Sequence, residues 1–335
     1  MERADDIIKS LCRPVLVVAL LAGLLLGCDR APRKSKAGKE DGKELKEETA
    51  VKGEINIGID ITMEPVLKQV LDAYHIDYPD ATIHPCYKTE GELVQDLLED
   101  SVRMVFISRD LTKAEKGVVL KDQIHTTATL VARDAIVAVL HPENPMDSIQ
   151  MKNLGRLMRG EAKTWKDVGG AVADTVHLVF DAPQSSTVRL LRDQFLNGGT
   201  QLPRNAFQAH DQDKVVEYVS QDKNAIGFIG YCLVSDRDEP KAQDILSKVK
   251  LARLDAADTS DAPGYFIRPY QNEIALGRYP FSRPIYAVSR EHFTGLGTGF
   301  VSFFAGEIGQ RILLKAGLVP EFMPPRVVVL PEKED

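Results

Sequence analysis

The sequence predicts an α/β protein of two lobes, each a mostly parallel sheet flanked by helices. Three observations carry this expectation. From about residue 54 onward, short apolar runs alternate with segments of helical periodicity, the order that open parallel sheets require. The composition, 44% apolar and 27% charged, is that of an ordinary globular chain able to bury a core. Removing an export signal over residues 1–27 from the 335-residue chain leaves about 308 residues, long for one domain and typical of two.

The elements follow in order. Ile55–Ile59 reads as a strand, and Val66, Leu67, Val70, Leu71 and Tyr74 share one helical face. Ala81–Tyr87 is the next strand. Thr89-Glu90-Gly91-Glu92 then has the spacing of a capping box, in which the first hydroxyl and the fourth carboxylate satisfy each other's backbone N–H groups, and it opens a helix to about Glu99. Met104–Ile107 is a strand, and Thr112-Lys113-Ala114-Glu115 is a second capping box. Val176–Phe180 precedes a helix from about Ser186 to Leu196. Asp211 caps a helix through Val215, Val216 and Val219, and Ala225–Ile229 is again a strand.

Ahead of this body lies a twelve-residue uncharged apolar run, Val15 to Leu26, followed by Gly27-Cys28. As a helix it spans only ~18 Å against a hydrocarbon core of ~30 Å, too short for a stable span. It reads as a signal-peptide core, and small Gly27 before Cys28 fits a lipoprotein signal in which the cysteine is acylated. A plain signal peptide or an uncleaved anchor is the rival, and Glu2, Asp5 and Asp6 make the start more acidic than such signals usually are. Residues 28–53 alternate Lys and Glu without an aromatic residue, so they are expected to form a flexible tether. The expected product is exported and held at a cell-envelope membrane by lipid on Cys28.

The net charge of −7, without a basic stripe, argues against a nucleic-acid partner. Cys86 and Cys232 lie far apart without metal-ligand spacing and are expected to be free thiols. Seven scattered histidines form no H-x-x-x-H pair, and no metal is expected. Walker A, G-x-S-x-G and C-x-x-C motifs are absent, so neither a cofactor nor an enzymatic activity is expected. Gly295-Leu296-Gly297-Thr298-Gly299 lacks dinucleotide spacing and reads as a small-residue helix start, and Trp165 as packing.

Ligands of open parallel sheets collect where strands end and helices begin, because helix N-termini present unpaired N–H groups and partial positive charge. Four such junctions carry hydroxyls: Thr62, Thr89, Ser108 beside Arg109, and Ser185-Ser186-Thr187. Each of these residues is also a fitting helix cap, and the pattern leaves both roles open.

A wider set of motifs bears on that choice. Trp165-Lys166-Asp167-Val168-Gly169-Gly170, Asn224-Ala225-Ile226-Gly227-Phe228-Ile229-Gly230-Tyr231, Tyr279-Pro280-Phe281-Ser282-Arg283-Pro284, Gly309-Gln310 and Gly317-Leu318-Val319-Pro320 occur in that order. Together they resemble the phosphate-binding proteins of ABC transporters over about residues 54–325. Ser185-Ser186-Thr187 falls at that family's S-G-T loop, and Ser108-Arg109-Asp110-Leu111 resembles its S-S-R-x-L junction. The resemblance implies a two-lobed periplasmic-binding-protein-like type 2 fold joined by a two-strand hinge. Lobe 1 would comprise residues 54–139 with 287–335, and lobe 2 residues 140–286. The chain would cross near Ala138–Pro142 and return near Tyr279–Tyr286.

By the same resemblance, inorganic phosphate or a similar oxyanion is bound in the interlobe cleft. The contacts would be Thr62, Ser108, Arg109, Ser185, Ser186 and Thr187, with Thr89 as a further one. The protein would act as a monomer and deliver its ligand to ABC permease and ATPase subunits. Several positions depart from the family pattern. Asp181 stands four residues before Ser185, where many relatives carry arginine, Ser186 replaces the central glycine, and Gln184 replaces the glycine before it. Asp60, Glu64, Glu90 and Asp181 are all candidates to accept the phosphate proton, and Arg109 and Arg189 are the cations expected near the cradle. The Asp181 exchange leaves an alternative open, a membrane-tethered sensor or scaffold that keeps the fold without transport. A hydrolase reading finds no nucleophile–base pair.

Overall fold

The computed structural model describes residues 48–257, 261 and 264–323; Cys28 and the proposed signal lie outside them. The body opens with β1 (Gly53–Asp60), α1 (Glu64–Asp77), β2 (Ala81–Lys88), α2 (Glu90–Leu98), β3 (Met104–Ile107) and α3 (Lys113–Val119), then the 14-residue β4 (Thr127–Leu140). The middle of the chain forms β5 (Ser148–Ile149), α4 (Met151–Met158), β6 (His177–Phe180), α5 (Ser186–Leu196), β7 (Ala206–Gln208), α6 (Gln212–Gln221) and β8 (Ala225–Gly230). It continues with α7 (Pro240–Lys248), β9 (Lys250–Leu251), β10 (Arg253–Asp255), β11 (Phe266–Ile267) and α8 (Gln271–Ala275). The chain returns through β12 (Ser282–Ser289), α9 (Leu296–Ala305), α10 (Glu307–Lys315) and β13 (Val319–Pro320).

Local signals set most of these elements. Both capping boxes form: Thr89 with Glu92 starts α2, and Thr112 with Glu115 starts α3. Asp211 accepts the Lys214 N–H to start α6, and Ser185 accepts that of Val188 to start α5. All four residues of β3 and all six of β8 are buried, as expected of strands covered on both faces.

The main sheet runs β2-β1-β3-β12-β4-β8-β6-β7, with β13 and β9 also pairing with β4. Its two ends are parallel: β2, β1 and β3 at one, β8, β6 and β7 at the other. The centre is antiparallel, because β12 returns between β3 and β4. The sheet is therefore mixed, and the long strand β4 joins its halves. Thr127–Ala135 pair with β12, whereas Ile136–Leu140 pair with β8.

Two lobes follow from this division. One core gathers β1, β2, β3, α1, α9 and α10 around Ile57, Ile59, Leu67, Phe106 and Phe300, with a satellite under α2 at Leu93 and Leu97. The other gathers β6, β8, α4, α5 and α6 around Leu157, Trp165, Val179, Leu191 and Phe228, and includes Ile136–Leu140. Trp165 is a packing residue, 1% exposed. Cys86 and Cys232 are both free thiols, the first half-buried and the second buried.

Candidate functional site

Where β4 changes partner, the sequence places an acid, Asp134, and the neighbouring β12 places a base, Arg283, in register with it. Both are fully buried. The Arg283 guanidinium donates to Asp134 Oδ2 through Nε at 2.9 Å and Nη2 at 2.6 Å. Its remaining N–H groups reach both lobes: Nη1 donates to Ser186 Oγ at 2.8 Å, and Nη2 to Thr62 Oγ1 at 2.9 Å. The two hydroxyls lie 3.3 Å apart. Burial works against the Arg283 charge, but Asp134 and Asp60 hold its pKa above the usual value.

Thr62 is fixed by Asp60 at the end of β1, whose Oδ1 accepts both the Thr62 N–H at 2.9 Å and its O–H at 2.8 Å. Burial pushes the Asp60 carboxyl up, against the pull of Arg283. Across the cleft, Ser185 Oγ donates to Asp181, and burial pushes that carboxyl up to about 7. Thr187 Oγ1 and Asp60 Oδ2 are buried without a hydrogen-bond partner among the described residues. Such an unmet group costs about 1–3 kcal/mol.

A second cluster lies beside the first. Ser108 follows β3, and its N–H and O–H both donate to the Glu90 carboxylate, at 2.9 and 2.6 Å. Arg189, on α5 of the opposite lobe, donates to the same carboxylate and, at 2.8 Å, to Ser108 Oγ. Arg109 lies 3.5 Å from Glu90 and is gripped by both Glu115 oxygens at 2.8 and 2.9 Å. Nearby, the Gly91 N–H donates to the Gln184 carbonyl across the cleft. Outside the network a cleft of about 680 Å³ opens between α1, the β2–α2 junction and the starts of α6 and α7. Thr89, Asp181 and Gln212 lie on its walls.

The structure thus brings Thr62, Ser186 and Arg283 into one buried network, with Ser185 and Thr187 on the same helix start. Ser108 and Arg109 belong to the adjoining cluster, and Thr89 sits at the cleft wall with its hydroxyl engaged by Glu92. The expectation that Arg109 and Arg189 are the cations of the cradle needs correction, because Arg283 occupies its centre. Arg189 turns inward to Ser108 and Glu90 rather than serving only a surface pair with Asp193. The Tyr279–Pro284 motif contained the missed residue, but nothing local announces that its arginine faces two lobes. The glycine-rich segment that opens α9 presents no free helix start, since Glu291 accepts the N–H groups of Gly297 and Thr298.

An α/β fold of two lobes, joined by crossing strands and meeting at a buried polar cleft, defines a bilobal ligand-binding protein. The family model described as the PBP superfamily domain matches residues 46–307, and the chain belongs to that family. It is 25% identical over 273 residues to the phosphate-binding protein PstS of Staphylococcus haemolyticus, covering 81% of this chain and 79% of that one. A structure with bound phosphate, assigned as a phosphate ABC transporter substrate-binding protein of Clostridium perfringens, superposes with a TM-score of 0.67 at 21% identity over 80% of this chain and 99% of that one. The ABC-type phosphate transport receptor of Vibrio cholerae superposes with a TM-score of 0.61 at 18% identity over 80% of this chain and all (100%) of that one.

Proposed function

We propose that this protein is the extracytoplasmic substrate-binding component of an ABC importer and that it captures inorganic phosphate between its lobes. The observation that carries the reading is the convergence of hydroxyls from both lobes, Thr62 and Ser186, on one fully buried guanidinium. Charge-assisted hydrogen bonds of this kind, in a site closed to water, suit a small tetrahedral anion. Relatives named for phosphate binding, one of them with phosphate in its structure, support the choice of ligand.

In this reading Ser186 and Thr187 donate to phosphate oxygens, Thr62 and Ser185 do so on giving up their bonds to Asp60 and Asp181, and Arg283 neutralises the anion's charge. Ser108, Arg109 and Thr89 bound the site from the first lobe. Asp60 and Asp181 are placed to accept the phosphate proton. In the closed form the hydroxyls are sealed from solvent, so entry requires the lobes to part about β4 and β12. Delivery is to permease and ATPase subunits. Among the described residues no helix is long and apolar enough to cross a membrane, and attachment through lipid on Cys28 of a monomer completes the proposal.

Isothermal titration tests the assignment. Wild-type protein is expected to bind phosphate, and Thr187→Ala to bind it at least tenfold more weakly with an unchanged circular-dichroism spectrum. Equal affinities would remove Thr187 from the site; absence of phosphate binding by the wild type would remove the ligand.

A further inference from the structure

Glu90 is 2% exposed, yet its position, the first residue of α2, would ordinarily face water. Burial alone would push its carboxyl up; the charges and hydrogen bonds of Arg189, Ser108 and Arg109 outweigh that and hold it below the usual carboxylate range. Its two oxygens receive a backbone N–H, a hydroxyl and a guanidinium that reaches across from α5, with a second guanidinium at 3.5 Å. This is a complete donor set for a small oxyanion, contributed by both lobes, and a side chain of the protein fills it. Of the other acids around it, Glu115 is bound to Arg109 and Asp193, on Arg189, is 55% exposed, whereas Asp60 is fully buried and its carboxyl is raised in part by the Glu90 charge. Without Glu90, two guanidinium groups and both Ser108 donors would lose their shared buried counter-charge.

We infer that Glu90 is a specificity-determining residue, a built-in competitor that occupies an oxyanion subsite between Ser108, Arg109 and Arg189. The inference rests on the phosphate-binding reading for its physiological ligand, but not for its geometry. The carboxylate already satisfies the donors an entering anion would use, so it lowers the affinity of every anion. It also opposes fully ionised ones most, because they bring two charges beside a fixed third. Phosphate is able to enter carrying a proton; sulfate at neutral pH is not.

The experiment compares wild type, Glu90→Ala and Glu90→Gln by isothermal titration against phosphate and against sulfate at pH 7. Glu90→Gln keeps the side-chain shape and guards against a folding defect in the alanine variant. Both variants are expected to bind phosphate at least tenfold more tightly than wild type and to acquire measurable sulfate binding. If the wild type binds phosphate and both variants bind it equally or more weakly without gaining sulfate, the competitor role is overturned while the phosphate reading stands. Should the wild type bind no phosphate, that reading fails, and sulfate binding gained in the variants still supports the subsite; its absence there overturns this inference too.

Discussion

Arg283 and Asp134 carry the largest electrostatic stake in the molecule, since both are fully buried and each is the other's main counter-charge. Removing one partner of a buried pair typically costs about 3–5 kcal/mol, because the survivor keeps its desolvation penalty, whereas replacing both with apolar groups is often nearly neutral. Arg283→Met is therefore expected to lose stability of that order, and Arg283→Met with Asp134→Leu to regain most of it. Urea denaturation measures both, and a loss under about 1 kcal/mol in the single variant would contradict a buried charge at Asp134. Asp181 gives a pH signature. Burial pushes its carboxyl up to about 7 in the folded chain, from an ordinary value of 3.8. Between those values the folded chain holds a proton that the unfolded chain has released, so Asp181 makes the protein less stable as pH rises through this window. Asp181→Asn should flatten the fall in urea midpoint between pH 5 and pH 8, and an unchanged slope would show that the wild-type carboxyl is already ionised. Residues of this kind were only half legible in the sequence. Ser185 and Thr89 announce themselves as caps through partners three residues away, whereas Arg283 finds its partners 97, 149 and 221 residues distant.

At the scale of elements, the end of β8 is the tightest joint at the site. A methyl group at Gly230 would lie 2.9 Å from both Arg283 Nη2 and the Thr62 carbonyl. Neither can yield easily, one being held by Asp134 and the other being backbone. Gly230→Ala is expected to cost about 1–3 kcal/mol and to weaken phosphate binding several-fold by displacing the guanidinium; calorimetry reads both, and wild-type values would mean that the network is loose. The bounds of α2, α3, α5 and β3 were readable because capping boxes and buried apolar runs are local signals. The character of β4 was not. Its 14 residues serve two halves of the sheet in succession, and only the return of β12, more than a hundred residues later, decides which part belongs to which.

Over the whole molecule, the two lobes differ in how their chain is assembled. The second half of the sheet draws β6, β7 and β8 from one continuous stretch, whereas in the first β3 is not joined to β4 until β12 arrives to lie between them. Contacts of such long sequence separation form slowly, because the loop entropy is lost before they reward it. In refolding followed by pulsed hydrogen exchange, amides of His177–Gly230 are therefore expected to gain protection before those of Thr127–Ala135, which pair with β12, and simultaneous protection would argue against this order. For a polypeptide that emerges N-terminus first, β12 is then the closing piece of the half that emerged earliest. Stopping the chain short of Ser282 would leave a product with one finished jaw and one that never shuts.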